Sequence, residues 1–260
     1  MKSIVIACDV MKNNLLSLND KLDYVFLEQR LHDTPKKMNE LLQEEIDKVE
    51  ETYDTIVLGY GCCSNGVVGL KSTRQRIVIP KADDCITLFL GSSKRYREEF
   101  NKEPGTFYLC RGWIEYGADP YRIYLALAGK HSKYPSEWFK YTGRFGIRRY
   151  DEETARHFVR ETIKNYRRVV VIDNNDLEPI HYQYIEEMMN FLRDVLQMDF
   201  KLEILKGTNR LFKKLVSGDW DSDSFLIIPP GEEIRQGLFI RPLPGLSLST
   251  TICRDQQFCI

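Results

Sequence analysis

Short β-branched runs alternate with stretches of helical spacing along this chain. That alternation confines it to the α/β class, because strands separated by helices pair in parallel through right-handed crossovers. SIVIAC (residues 3–8) reads as a buried strand, followed by a short helix at KNNLLSL. DYVFLEQRL (23–31) is a second strand. DTPKKMNELLQEEIDKVE then predicts a helix with Thr34 as N-cap and Pro35 at its first position, carrying Met38, Leu41, Leu42, Ile46 and Val49 on one face. DTIVLGYG is a third strand, QRIVIPK a fourth, CITLFLGSSKRYREEF a helix, and GTFYLC a fifth strand.

A second block follows residue 165: the strand RRVVVIDNN, a helix over 179–196, the strand FKLEIL, the helical KGTNRLFKKLV and the strand SFLIIPPG. Its order of elements echoes the first block, LHDTPKKMNELL answering LKGTNRLFKKLV. The expected architecture is two similar parallel-sheet α/β lobes, residues 1–116 and 166–260, with a cleft between them. The linking segment, 117–165, is aromatic, basic and helical around 120–128 and 152–165. It reads as a packing subdomain, with an irregular stretch near Pro135, Gly143 and Gly146 that could instead lie across the cleft.

Charge and hydropathy exclude some functions. Lys plus Arg (37) nearly balances Asp plus Glu (38), so no net field recruits nucleic acid or an anionic membrane. No apolar run approaches the roughly 18 residues that span a bilayer. The lipoprotein-like VIAC near the start is cut short by Asp9, so export is not expected and the expected compartment is the cytoplasm. In that reducing setting the cysteines at 8, 62, 63, 85, 110, 253 and 259 are buried thiols, reactive thiols or metal ligands.

Position separates these roles. Ligands of a parallel sheet bind beyond the carboxyl ends of its strands. There the chain places Cys8 and Asp9; Arg30, His32 and Asp33; Cys62 and Cys63; Asp83, Asp84 and Cys85; and Cys110. Thiols from separate strand ends can meet in space, as a thiolate-ligated metal requires. Each has a plainer reading: Cys8 and Cys110 alone would be small core residues. Cys62 and Cys63 lie among Gly59, Gly61 and Gly66, and adjacent residues point opposite ways, so one of the two is expected at the site. Cys85 precedes a helix, which favours a thiolate. His32 could ligate or move a proton, whereas His131, His157 and His181 have no such company.

No C-x2-C pair, G-x-G-x-x-G, P-loop or G-x-S-x-G occurs, so zinc-ribbon, dinucleotide, nucleotide and serine-hydrolase readings have no motif. Cys253 and Cys259 form a C-x5-C pair in the tail.

The stretches IACDVM, LHDTPKKM, LGYGCCSNGVVGL, DDCITLFLGSSKRY and YLCRGWIE resemble domain-of-unknown-function family number 1638, found in methanogens and anaerobic bacteria. The resemblance picks out Cys8, His32, Cys63 and Cys85, with Cys62 as an extra cysteine. It implies a setting beside corrinoid-dependent methyltransferase systems in one-carbon metabolism, and no established reaction.

The expected function is therefore a metal site ligated by Cys8, Cys63 and Cys85, with His32 as fourth ligand or proton donor and Asp84 as a second acid–base group. An iron–sulfur cluster with one open iron is favoured over zinc. Arg30, Arg111 and Trp113 are candidate contacts for an unidentified small-molecule substrate; ordinary salt bridges and packing are their alternative. Two other functions remain open: an accessory protein delivering metal or corrinoid to a methyltransferase partner, and a metal-free enzyme with Cys63 or Cys85 as nucleophile and His32 as base.

Overall fold

The computed structural model describes residues 2–139 and 149–239. It is a mixed α/β structure with parallel-dominated sheets. Residues 94–208 form one compact unit, and the chain on either side of them forms the other. The boundary expected at residue 116 falls inside the former.

The first unit holds β1 (Ser3–Cys8), β2 (Asp23–Leu27), β3 (Thr55–Gly59), β4 (Arg76–Pro80) and β8 (Phe225–Ile228), in the order β2-β1-β3-β4-β8. Helices α1 (Lys12–Leu18), α2 (Pro35–Asp47), α3 (Cys85–Leu90) and α9 (Arg210–Ser217) accompany them. The first four strands are parallel and β8 is antiparallel to β4. Side chains alternate across the sheet. Ile6, Ile56, Leu58, Ile77 and Ile79 therefore share one core with Met38, Leu42 and Ile46 of α2. Val5, Ala7, Val57 and Val78, equally buried, alternate with them in sequence, and α9 packs on α1 and on α3, where Phe89 meets Phe212 edge to face at 5.1 Å. The α2 face expected from the sequence is the buried face, with Pro35 at the first turn; Thr34 stands at the N-cap without a side-chain cap bond.

The second unit holds β5 (Thr106–Leu109), β6 (Arg168–Asp173) and β7 (Lys201–Lys206), paired in parallel in that order, with α4 (Ser93–Lys102) leading into it, α5 (Arg111–Tyr116), α6 (Pro120–Leu127), α7 (Glu152–Ile163) and α8 (Pro179–Asn190). Its core gathers Leu109, Ile123, Tyr124, Val159, Val171, Tyr184 and Phe191. Tyr134 and Trp138 of the aromatic segment are buried in this core, while 143 and 146 lie outside the described residues. At its centre Arg122, fully buried, donates to Tyr184 Oη at 2.9 Å, Gly117 O at 2.5 Å and Trp138 O at 2.8 Å, with Asp119 at 3.3 Å.

Several elements differ from expectation. The fifth strand pairs with β6 instead of joining the first sheet, and the last described strand, read as part of a second parallel lobe, closes the first sheet antiparallel. Both strands are short apolar runs, and nothing in such a run names its partner. The helix expected over 85–100 is two helices, because Gly91 (φ 74°) ends α3 in the left-handed conformation. The second strand stops at Leu27, and the helix from 179 passes into a π turn over 191–195. No helix among the described residues is long and apolar enough to cross a membrane.

Candidate functional site

In the order β2-β1-β3-β4 the chain steps outward from β1 in one direction to β2 and in the other to β3, so the carboxyl ends of β1 and β3 flank a topological switch point. Cys8 is the last residue of β1, and Tyr60 follows β3 directly. The Cys63 loop lies beyond Tyr60, and Cys85 opens α3 shortly after β4.

Two backbone bonds tie these loops together: Cys62 N–H donates to Ala82 O at 2.8 Å and Cys63 N–H to Asp83 O at 2.9 Å. Gly61 makes this approach possible, since a Cβ there would sit 2.8 Å from both Cα and N of Asp84. The turn that follows is left-handed at three successive non-glycine residues, Cys63, Ser64 and Asn65 (φ 45°, 55° and 67°). Such conformations cost on the order of 1–2 kcal/mol each and persist only where the surroundings impose them. The adjacent thiols divide: Cys62 is half-buried and donates to Asn65 Oδ1 at 3.2 Å, while Cys63 is buried with the α2 core cluster.

Tyr60 is the residue that sequence reasoning passed over. It is 3% exposed, and its hydroxyl has no hydrogen-bond partner. Burial pushes the phenol well above its usual range, and the charges of Cys8, Cys63, Asp9 and Cys85 push the same way. These thiols belong to separate elements, Cys8 to the end of β1, Cys63 to the loop after β3 and Cys85 to the start of α3. A tyrosine between two glycines in LGYGCC is the available signal in the sequence. The Cys8 thiol itself is pushed up to about 12, first by burial and further by Asp9, with the Val10 N–H opposing. An unligated Cys8 is therefore protonated and a poor nucleophile at neutral pH.

His32 occupies a 3-10 turn (residues 31–33) entered through Arg30 in the left-handed conformation (φ 63°). Its Nε2 lies 3.2 Å from Asp33 Oδ1, whose other oxygen accepts from Arg30 Nε at 2.6 Å. Burial lowers the His32 pKa, Asp33 raises it and Arg30 lowers it, for a net fall that leaves a neutral imidazole near pH 7. The Asp84 carboxylate caps α3, accepting from Thr87 N–H at 3.3 Å, so it fixes the turn that carries Cys85.

The other expected residues stand in the second unit. Cys110 is buried at the N-cap of α5, and Trp113 packs against the second core. Arg111 pairs with Glu115 at 2.8 Å and Glu178 at 2.8 Å. His181, which the sequence left without company, meets Glu115 at 3.1 Å and accepts from the Glu178 N–H at 2.8 Å. With its Nδ1 so occupied, Nε2 carries the proton and the ring serves the cap of α8. Cys253 and Cys259 lie outside the described residues. Among the described residues no three His, Cys, Asp or Glu side chains converge as ligands of a single ion.

The family model described as protein of unknown function (DUF1638) matches residues 26–216. The chain belongs to this family. The DUF1638 match takes in Arg30, His32, Tyr60, Cys63, Asp84, Cys85, Arg111 and Trp113, while Cys8 precedes it. No curated protein and no solved structure matches the chain.

Proposed function

We propose that the chain is a metalloprotein whose cofactor, an iron–sulfur cluster in preference to zinc, is held by Cys8, Cys63 and Cys85, with His32 beside it as fourth ligand or proton donor. The observation that supports this reading is that these three thiols, far apart in sequence, stand at or beyond the carboxyl ends of the neighbouring parallel strands β1, β3 and β4, beside the switch point. A set of thiolates is a donor set for soft metals and clusters. The neutral imidazole of His32 is in the form that ligates.

A cluster is preferred because the three thiols stand at or beyond the carboxyl ends of parallel strands, where ligands of such a sheet bind, whereas structural zinc usually staples local loops. A single zinc draws its donors to about 2.0–2.3 Å from one centre, whereas a cluster gives each thiolate its own iron. Three cysteines leave one iron open to a small-molecule substrate, which fits redox or dehydration chemistry. The link to corrinoid and one-carbon metabolism rests on the family resemblance alone.

The test is elemental analysis, with an absorption spectrum, on full-length protein purified without oxygen or added metal. We expect iron with acid-labile sulfide in the wild type and its loss in Cys63→Ser and in Cys85→Ser. Full metal retention in both variants, or a wild type that carries neither iron nor sulfide, overturns the reading. Zinc near one per chain without colour would replace the cluster with a mononuclear site.

A further inference from the structure

We infer that the Tyr60 O–H donates a hydrogen bond to sulfur of the group held by Cys8, Cys63 and Cys85, which makes Tyr60 a further residue of that site. The inference rests on the thiolate-site reading above. Its own support is separate. Tyr60 follows β3 at the switch point, is 3% exposed and has a hydroxyl without a partner. Nearly all buried hydroxyls in folded proteins are hydrogen-bonded, because a buried donor left unmade forfeits its hydration for nothing in return. Phenylalanine would fill the same space without that loss.

What surrounds the hydroxyl says which partner it awaits. Tyr60 lies on the stretch that joins β3 to the Cys63 loop, and the groups whose electrostatics reach its hydroxyl are the thiols of Cys8, Cys63 and Cys85 and the Asp9 carboxylate. A neutral phenol has one proton to give, and a metal-bound thiolate or sulfide is an acceptor, whereas a free thiol is a weak one. The acceptor is therefore supplied when the cluster is bound. Hydrogen bonds to cluster sulfurs help to set reduction potential, and a donor stabilises the more negatively charged reduced state. Tyr60 thus raises the potential of the bound cluster.

The experiment compares wild type with Tyr60→Phe as full-length chains, each metal-free and after anaerobic reconstitution with ferrous iron and sulfide. The inference expects equal iron and sulfide in the two proteins, a midpoint potential shifted negative in the variant, and a higher unfolding temperature for the metal-free variant than for the metal-free wild type. The two shifts have opposite meanings for the hydroxyl, and a merely structural tyrosine would not produce both. An unchanged potential at full iron content overturns the inference, as does a lower unfolding temperature of the metal-free variant. A variant that takes up no iron while the wild type does assigns the phenol to assembly and also overturns it. A wild type that binds no iron and sulfide is a different failure, that of the thiolate-site reading itself.

Discussion

Replacing Gly61 by alanine should unseat the contact between the Cys63 loop and the segment that leads to Cys85. The new Cβ would lie 2.8 Å from Asp84 Cα and N and 2.9 Å from Ala82 O, and all three are backbone atoms that cannot rotate away. The loops must part, and the bonds from Cys62 N–H to Ala82 O and from Cys63 N–H to Asp83 O stretch or break. Each such bond contributes about 1 kcal/mol net. Overpacking a fitted interior adds about 1–3 kcal/mol. The expected loss is at least about 3 kcal/mol, which is a shift of about 1–3 M in urea midpoint at slopes of about 1–3 kcal/mol/M. Hydrogen exchange gives the local readout: if the loop opens by the same amount, the Cys62 and Cys63 amides exchange about 100-fold faster. Gly237→Ala is the control, because no atom lies within 4 Å of a Cβ placed there. A Gly61→Ala protein whose urea midpoint and exchange rates match those of Gly237→Ala would refute the reasoning.

In the second unit, Arg122→Met should cost about 3–5 kcal/mol, since it strips the buried Asp119 carboxylate of its guanidinium and leaves the Gly117 and Trp138 carbonyls short of a donor. Urea unfolding followed by near-ultraviolet dichroism measures this, and wild-type stability would show the network to be dispensable. Acid should weaken the first unit through Asp221, held at about 2 chiefly by Lys214 and then by Ser224. A carboxyl lowered in the folded state contributes stability above its unfolded value of 3.8 and loses it as pH falls towards 2. The stability gap between wild type and Asp221→Asn should therefore be constant above pH 5 and shrink between about pH 4 and pH 2; a gap that persists at pH 2.5 would contradict this.

Much of the frame could be read from residue order. SIVIAC and RRVVVID are continuous apolar runs because parallel strands are buried on both faces, and they are β1 and β6. The spacing of Met38, Leu42 and Ile46 named the buried side of α2 for the same reason, since period and face are properties of the segment itself. Strand partnership is not such a property. GTFYLC and SFLIIPPG carry no mark of the strand beside them, so β5 and β8 were drawn into the wrong sheets. The site shows the same division. The places of Cys8, Cys63 and Cys85 at or after strand ends were legible from residue order. Tyr60 was not, because an unpartnered hydroxyl becomes visible only once burial is known. The Glu115 partner of His181 was invisible for a related reason, lying at a sequence distance no motif spans.

The pairing of β4 with β8 also sets a timetable for synthesis. β4 emerges with one edge unpaired, and the strand that covers it is not made until residues 225–228. At about 5–20 residues per second the ribosome takes roughly 7–30 s to deliver that strand. The intervening residues 94–208 are continuous and bring all three strands of their own sheet, so they can fold during the wait. The nascent chain meanwhile presents an apolar strand edge, Ile77 to Ile79, of the kind that recruits other chains. Expression that outruns folding, or a chain stopped before residue 225, should send this protein into aggregates through β4.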